Sequence, residues 1–131
     1  MKPETLIALA LDAMQNAYAP YSGYKVGAAL LCADGSVYTG CNVENAAFSP
    51  TNCAERTAFF KAVSEGKRDF TAIAVCGGKD GVITGVFPPC GVCRQVMAEF
   101  CGEDFSVYLP DGSGAYKTFT LGALLPEQFI L

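Results

Sequence analysis

The chain has 131 residues, a formal charge of −4 and not one histidine. That length suits a single domain, expected over residues 1–131, with a core large enough to do without disulfide staples, while the missing histidine removes the commonest general base and every Ser–His or Cys–His nucleophile pair. Nine scattered basic residues against 13 acidic ones leave no footprint for a polyanion, which disfavours a nucleic-acid partner, and no apolar run reaches the roughly 20 residues of a membrane span. No basic start followed by an apolar stretch and a small-residue cleavage site is visible, so export is not expected. Seven cysteines, an odd number, argue against a complete disulfide framework and for a reducing, cytoplasmic setting. With 51% hydrophobic residues, surplus apolar surface is expected to go into subunit contacts.

In chain order, Leu6, Leu9, Ala10, Ala13, Met14 and Ala17 recur at helical spacing and predict an amphipathic helix over about 4–17, stopped before Pro20. Val26 to Leu31 and Ser36 to Asn42 read as strands joined at Asp34-Gly35, a hairpin signal. Residues 45–52 read as a loop, and a run of helix formers continues from Cys53 to about Gly66. Phe70 to Cys76 is a predicted strand and Gly77 to Pro89 a Gly/Pro-rich loop. A helix over Cys90 to about Phe100 and a strand over Phe105 to Leu109 follow. After a turn at Asp111-Gly112 come an edge strand over Ala115 to Thr120 and a short helical turn from Leu121 to Leu125. This alternation predicts an α/β layered domain with a mixed sheet.

The chemistry is concentrated in Cys53-Ala54-Glu55 and Pro89-Cys90-Gly91-Val92-Cys93. Cys90 and Cys93, three apart in a first helical turn, share one face, and Cys53 opens the preceding helix. Helix N-termini carry partial positive charge and stabilise thiolates. Three ligands on a tetrahedral zinc leave a fourth position for water, the catalytic pattern. Three thiolates around a divalent cation leave net negative charge, so a compensating cation is required; Arg56, one turn above Cys53, is the candidate to hydrogen-bond the ligand sulfurs. Other readings stand beside this one. Asn52 could cap the helix, with Glu55 closing a capping box. The CGVC run also has the form of a thioredoxin-type redox motif, and a closed Cys₄ site could recruit Cys76 or Cys101. Cys32, Cys41, Cys76 and Cys101 sit in apolar surroundings and read as small buried hydrophobes. Asn42 and Glu44, two apart on an extended segment, point the same way and suit a sugar hydroxyl.

Zinc held by cysteines with a non-ligand glutamate to move protons is the arrangement of zinc deaminases, and the chain resembles the small cytidine deaminases of the homotetrameric, all-cysteine zinc type. The resemblance rests on Tyr18-Ala19-Pro20-Tyr21-Ser22, Val26-Gly27-Ala28-Ala29-Leu30, Gly40-Cys41-Asn42-Val43-Glu44-Asn45-Ala46, Cys53-Ala54-Glu55-Arg56-Thr57, Pro89-Cys90-Gly91-Val92-Cys93-Arg94-Gln95 and Leu124-Leu125-Pro126, in that order. It implies a three-layer α/β/α domain with a mixed sheet of about five strands. It further implies one Zn²⁺ per subunit on Cys53, Cys90 and Cys93, with Glu55 as proton shuttle. The implied reaction is hydrolysis of cytidine and deoxycytidine to uridine and deoxyuridine with release of ammonia. By the same resemblance Asn42 and Glu44 hold the ribose 3′-hydroxyl and the Ala46 backbone lies near the 5′ end; in the reaction so implied, the Ala54 N–H is expected to donate to the pyrimidine O2. Tyr24 stands where the family has Phe against the base or sugar, and Phe48 stands for a common Tyr. Phe129 matches a residue that reaches into a neighbouring subunit's site, so sites completed by neighbours in a homotetramer are expected. A nucleoside-antibiotic deaminase of the blasticidin-S type shares the cysteine pattern; Asn42-Val43-Glu44-Asn45 favours the ordinary nucleoside. An editing deaminase needs a basic, aromatic channel for its strand, which the acidic composition opposes.

Overall fold

In chain order the computed structural model, which describes residues 1–131, runs α1 (Pro3–Met14), β1 (Tyr24–Cys32), β2 (Val37–Cys41), α2 (Ala54–Ser64), β3 (Phe70–Lys79), α3 (Gly91–Phe100), β4 (Ser106–Pro110), β5 (Tyr116–Thr120) and α4 (Leu121–Leu124). The strands form one sheet in the order β2-β1-β3-β4-β5, with β3 and β4 parallel and every other pair antiparallel. The predicted mixed five-stranded α/β architecture is therefore present.

Strand alternation explains the layers. Ala28 and Leu30 of β1 and Ile73 and Val75 of β3 face a core completed by Ala58 and Phe59 of α2, Met97 of α3 and Leu121 of α4. Ala29, Ala72, Ala74 and Cys76 point the other way, against Leu6, Ile7, Ala10 and Met14 of α1. Small residues on that second face let α1 settle close to the sheet. Gly27 marks the tightest approach, because a Cβ there would collide with the carbonyl oxygen of Ala10. Gly27→Ala is expected to lower unfolding stability by about 1–3 kcal/mol through overpacking, read from denaturant midpoints; an unchanged midpoint would show that α1 can move away freely.

Two boundaries differ from the sequence expectation. α1 ends at Met14 rather than 17: Asn16 and Ala17 make short i→i−3 bonds to Ala13 and Met14 (3.1 Å each). Tyr18 is then drawn into a bridge with Val43, its N–H donating to the Asn42 carbonyl (3.0 Å). β3 runs on to Lys79 because Gly77, Gly78 and Lys79, which read as loop, pair with Val26, Lys25 and Tyr24. The hairpin forms as expected, with Gly35 at φ +90° and the Asp34 carboxylate accepting from the Ser36 N–H (3.0 Å).

β2 and β3 each run antiparallel to β1, so they run parallel to each other. The segments that leave them therefore exit at one end of the sheet, and α2 and α3 both begin there. No helix is long and apolar enough to cross a membrane.

Candidate metal centre and its cleft

Cys53 and Cys90 occupy the cap positions of α2 and α3, with extended backbones (φ −77°, ψ 156° and φ −67°, ψ 167°), and neither side chain caps its helix. Their sulfurs are consequently free to meet, at 3.9 Å. Cys93, in the first turn of α3 and fully buried, brings the third sulfur, so all three lie within 4.8 Å of one another. Asn52 does not cap α2: Cys53 holds that position, and the Asn52 amide donates to Thr57 Oγ1 (3.2 Å). The capping-box alternative for Glu55 is thereby set aside.

The donor set fits zinc. Thiolates at the ~2.3 Å Zn–S distance stand about 3.8 Å apart in a tetrahedron, close to the Cys53–Cys90 separation. Cys76 lies across the sheet on the α1 side, its thiol near the Gly27 carbonyl (3.8 Å), and burial pushes it up to about 11. Burial likewise pushes Cys101 up to about 12. Neither joins the trio, and the closed four-cysteine alternative fails. Cys53, accepting hydrogen bonds from Cys93, Arg56 and Cys90, is brought down to about 5. Cys93, donating to that thiolate and buried, is held far above an ordinary thiol. Neighbouring sulfurs divide their protons this way until a cation neutralises them. Arg56 Nη2 donates to Cys53 Sγ at 3.2 Å, while its Nε is buried without a partner.

Glu55, in the first turn of α2, is only 4% exposed, and burial pushes its carboxyl up to about 7. It opens onto a cavity of about 230 Å³ shared with Cys53, Cys90, Asn42, Glu44, Tyr24 and Phe87. A larger cavity of about 580 Å³ lies beside α1 and holds none of these residues.

Asn42 and Glu44 reach the cavity and also build its rim. The Asn42 side chain accepts from the Val26 N–H (2.9 Å) and donates to the Tyr24 carbonyl (2.8 Å), clamping the start of β1. One amide hydrogen is left for a ligand. Glu44 Oε1 accepts from the N–H groups of Tyr21 and Ser22 (3.0 and 3.1 Å), and the hydrogen bonds with Ser22 hold its carboxyl below the usual range. Ala54 opens α2, where a first-turn N–H has no helical partner. Ala46 sits on the exposed 45–51 loop and Phe129 is 67% exposed with its carbonyl accepting from Gln95 Nε2 (3.1 Å); neither lines this cavity.

Two contributors were missed from sequence. Phe87 lines the cavity with its ring 6.3 Å from that of Tyr24; an aromatic directly before Pro88-Pro89-Cys90 was the available signal. Arg94 donates from Nε to the Pro89 carbonyl (2.7 Å) and from Nη1 to the Leu124 carbonyl (2.6 Å), fixing the entry to α3. Its place one turn after Cys90 gave no sign of that.

Comparison with known proteins agrees with this geometry. Residues 1–109 match the family described as the cytidine and deoxycytidylate deaminase zinc-binding region. Proteins named cytidine deaminase from Sporosarcina psychrophila and Halalkalibacterium halodurans are 53% and 52% identical over 129 residues, covering 98% of this chain and 92% and 95% of theirs. A crystal structure of cytidine deaminase from Burkholderia pseudomallei superposes with a TM-score of 0.91 at 47% identity, covering 98% of this chain and 100% of that one. With three sulfurs gathered at two helix starts and a buried carboxyl beside them, the chain belongs to the cytidine and deoxycytidylate deaminase zinc-binding family.

Proposed function

We propose that this protein hydrolyses the 4-amino group of cytidine and deoxycytidine, giving uridine and deoxyuridine with ammonia. The observation that carries this reading is Glu55: a carboxyl buried beside the sulfur trio and raised to about 7, in a chain without histidine. The relatives' shared name supports the substrate.

Cys53, Cys90 and Cys93 would hold one Zn²⁺, whose contribution is a water made acidic enough to serve as nucleophile near neutral pH. Glu55 moves protons to N3 of the pyrimidine and then to the departing 4-amino group. One carboxyl serves both steps because it takes up a proton in the first and returns one in the second. The Ala54 N–H, at the positive end of α2, donates to the pyrimidine O2. The remaining Asn42 amide hydrogen and a free lone pair of Glu44 meet the ribose 3′-hydroxyl, while Tyr24 packs against the base or sugar. The Ala46 backbone lies toward the 5′ end. Incubating the zinc-loaded protein with cytidine should shift the ultraviolet spectrum to that of uridine, and a chelator should stop the shift; an unchanged spectrum with saturated metal overturns the assignment.

Arg56 offsets the excess negative charge of the sulfurs, as its hydrogen bond to Cys53 supports. Arg56→Ala is expected to weaken zinc binding about 10–100-fold, the cost of losing an outer hydrogen-bond partner of a ligand. Equal zinc affinity and equal turnover in the variant would leave Arg56 an ordinary helix residue.

The working form is a homotetramer in the cytoplasm, with neighbours completing each site. Phe48 at 91% exposure and the exposed Phe129, Ile130 and Leu131 support association, and seven free cysteines suit a reducing compartment. Light scattering should return four times the 13.8 kDa chain mass; a monomer mass rules the assembly out.

A further inference from the structure

We propose that Phe87 sets the size of the pyrimidine this cleft accepts, packing with Tyr24 against the C5–C6 edge of the base; this rests on the deamination reading above. The orientation follows from which groups sit where. Glu55 and the Ala54 N–H both belong to the start of α2, so a base that presents N3 and O2 to them turns that edge toward α2. A six-membered ring is flat, and its C5–C6 edge then faces the opposite wall. Apart from the cysteines, the apolar lining of the cavity comes from Tyr24, Val26, Phe87 and Pro88, the surface suited to an unreactive carbon edge.

Phe87 is the part of the wall with space behind it. Its ring stands 6.3 Å from that of Tyr24, tilted by 32°, and the two residues also line a second cavity of about 390 Å³ with Gly77, Lys79 and Thr84. The aromatic pair thus forms a partition between the cleft and a neighbouring void. Each partner is held. Lys79 Nζ lies 5.5 Å from the Tyr24 ring centroid, and the Phe87 ring rests on Gly77, where a Cβ would come within 2.9 Å of Phe87 Cδ1. A substituent on C5 meets this partition, whereas the unsubstituted ring lies flush with it. Truncating Phe87 joins the cleft to the second cavity, because nothing on the glycine behind it can move in to fill the space.

The test uses the zinc-loaded full chain, with cytidine and 5-bromocytidine as substrates for wild type, Phe87→Leu and Phe87→Ala. Wild type is expected to prefer cytidine. Phe87→Ala should raise KM for cytidine about tenfold and leave kcat within about threefold, because packing on an unreactive edge contributes to binding of substrate and transition state alike. The ratio of kcat/KM for 5-bromocytidine over cytidine should rise at least about tenfold in Phe87→Ala, the range expected for one apolar group in a pocket. Phe87→Leu, which keeps part of the wall, should fall between the two, with zinc content unchanged throughout. If both variants bind zinc and keep the wild-type KM and the wild-type ratio, the role of Phe87 is overturned while the deamination reading stands. A zinc-loaded wild type inert toward cytidine overturns the deamination reading and this inference with it.

Discussion

Replacing Glu55 with glutamine is expected to lower kcat for cytidine by at least ~10²–10⁴-fold, the contribution of a positioned proton-transfer group, while zinc remains at one per subunit. Glutamine keeps the shape of the side chain and a hydrogen-bonding end, but it cannot hand a proton to N3 or to the leaving amine. Because Glu55 is not among the clustered ligand atoms, metal content separates a lost shuttle from a lost site. The same substitution carries a stability signature. Burial raises the Glu55 carboxyl to about 7, so ionisation is harder in the folded than in the unfolded chain, and the wild type is penalised wherever the unfolded carboxyl is charged. Metal-free Glu55→Gln should therefore unfold at a higher temperature than metal-free wild type at pH 8. The penalty grows as pH rises from the ordinary carboxylate range toward 7, so the gap should close toward pH 4. Near-normal turnover, or a gap that widens in acid, would remove Glu55 from the proposed role.

The second large effect is expected at Cys93. Its sulfur is fully buried and the cluster offers only three side-chain ligands, so Cys93→Ala leaves two where a tetrahedral site needs at least three. Zinc affinity should fall by more than the ~10–100-fold that follows loss of an outer hydrogen-bond partner, and turnover should vanish with the metal. Competition against a chromophoric chelator measures the affinity directly. Thermal unfolding gives an independent readout. Zinc at 1,000 times its dissociation constant adds about 4 kcal/mol to the folded state, so a chelator should lower the midpoint of wild type and leave Cys93→Ala unmoved. A variant that still carries one zinc would show that the trio is not the binding site.

Much of this was legible from residue order because it depends on local rules. Asp34-Gly35 specified the hairpin through its turn chemistry, and the alternation in β1 and β3 specified two buried faces. Cys90 and Cys93 had to share a face once a helix began between them. The end of α1 is not legible in the periodicity of 4–17, because Tyr18 is captured by Val43, a partner 25 positions away. The last residues of β3 are silent in the sequence because glycines in a strand carry no side-chain signal, and pairing with Tyr24–Val26 keeps Gly77–Lys79 extended.

By itself, then, the sequence determined the layered α/β class, the two helix starts bearing cysteine and the nearness of Glu55 to Cys53, since each follows from neighbours a few residues apart. Tertiary structure alone decided that Cys53 meets Cys90 at 3.9 Å, that Glu55 is buried at the floor of the cleft, and that Phe87 packs beside Tyr24 in the cleft wall. Those outcomes depend on two segments leaving β2 and β3 at the same end of the sheet, a consequence of strand direction that a linear pattern does not encode.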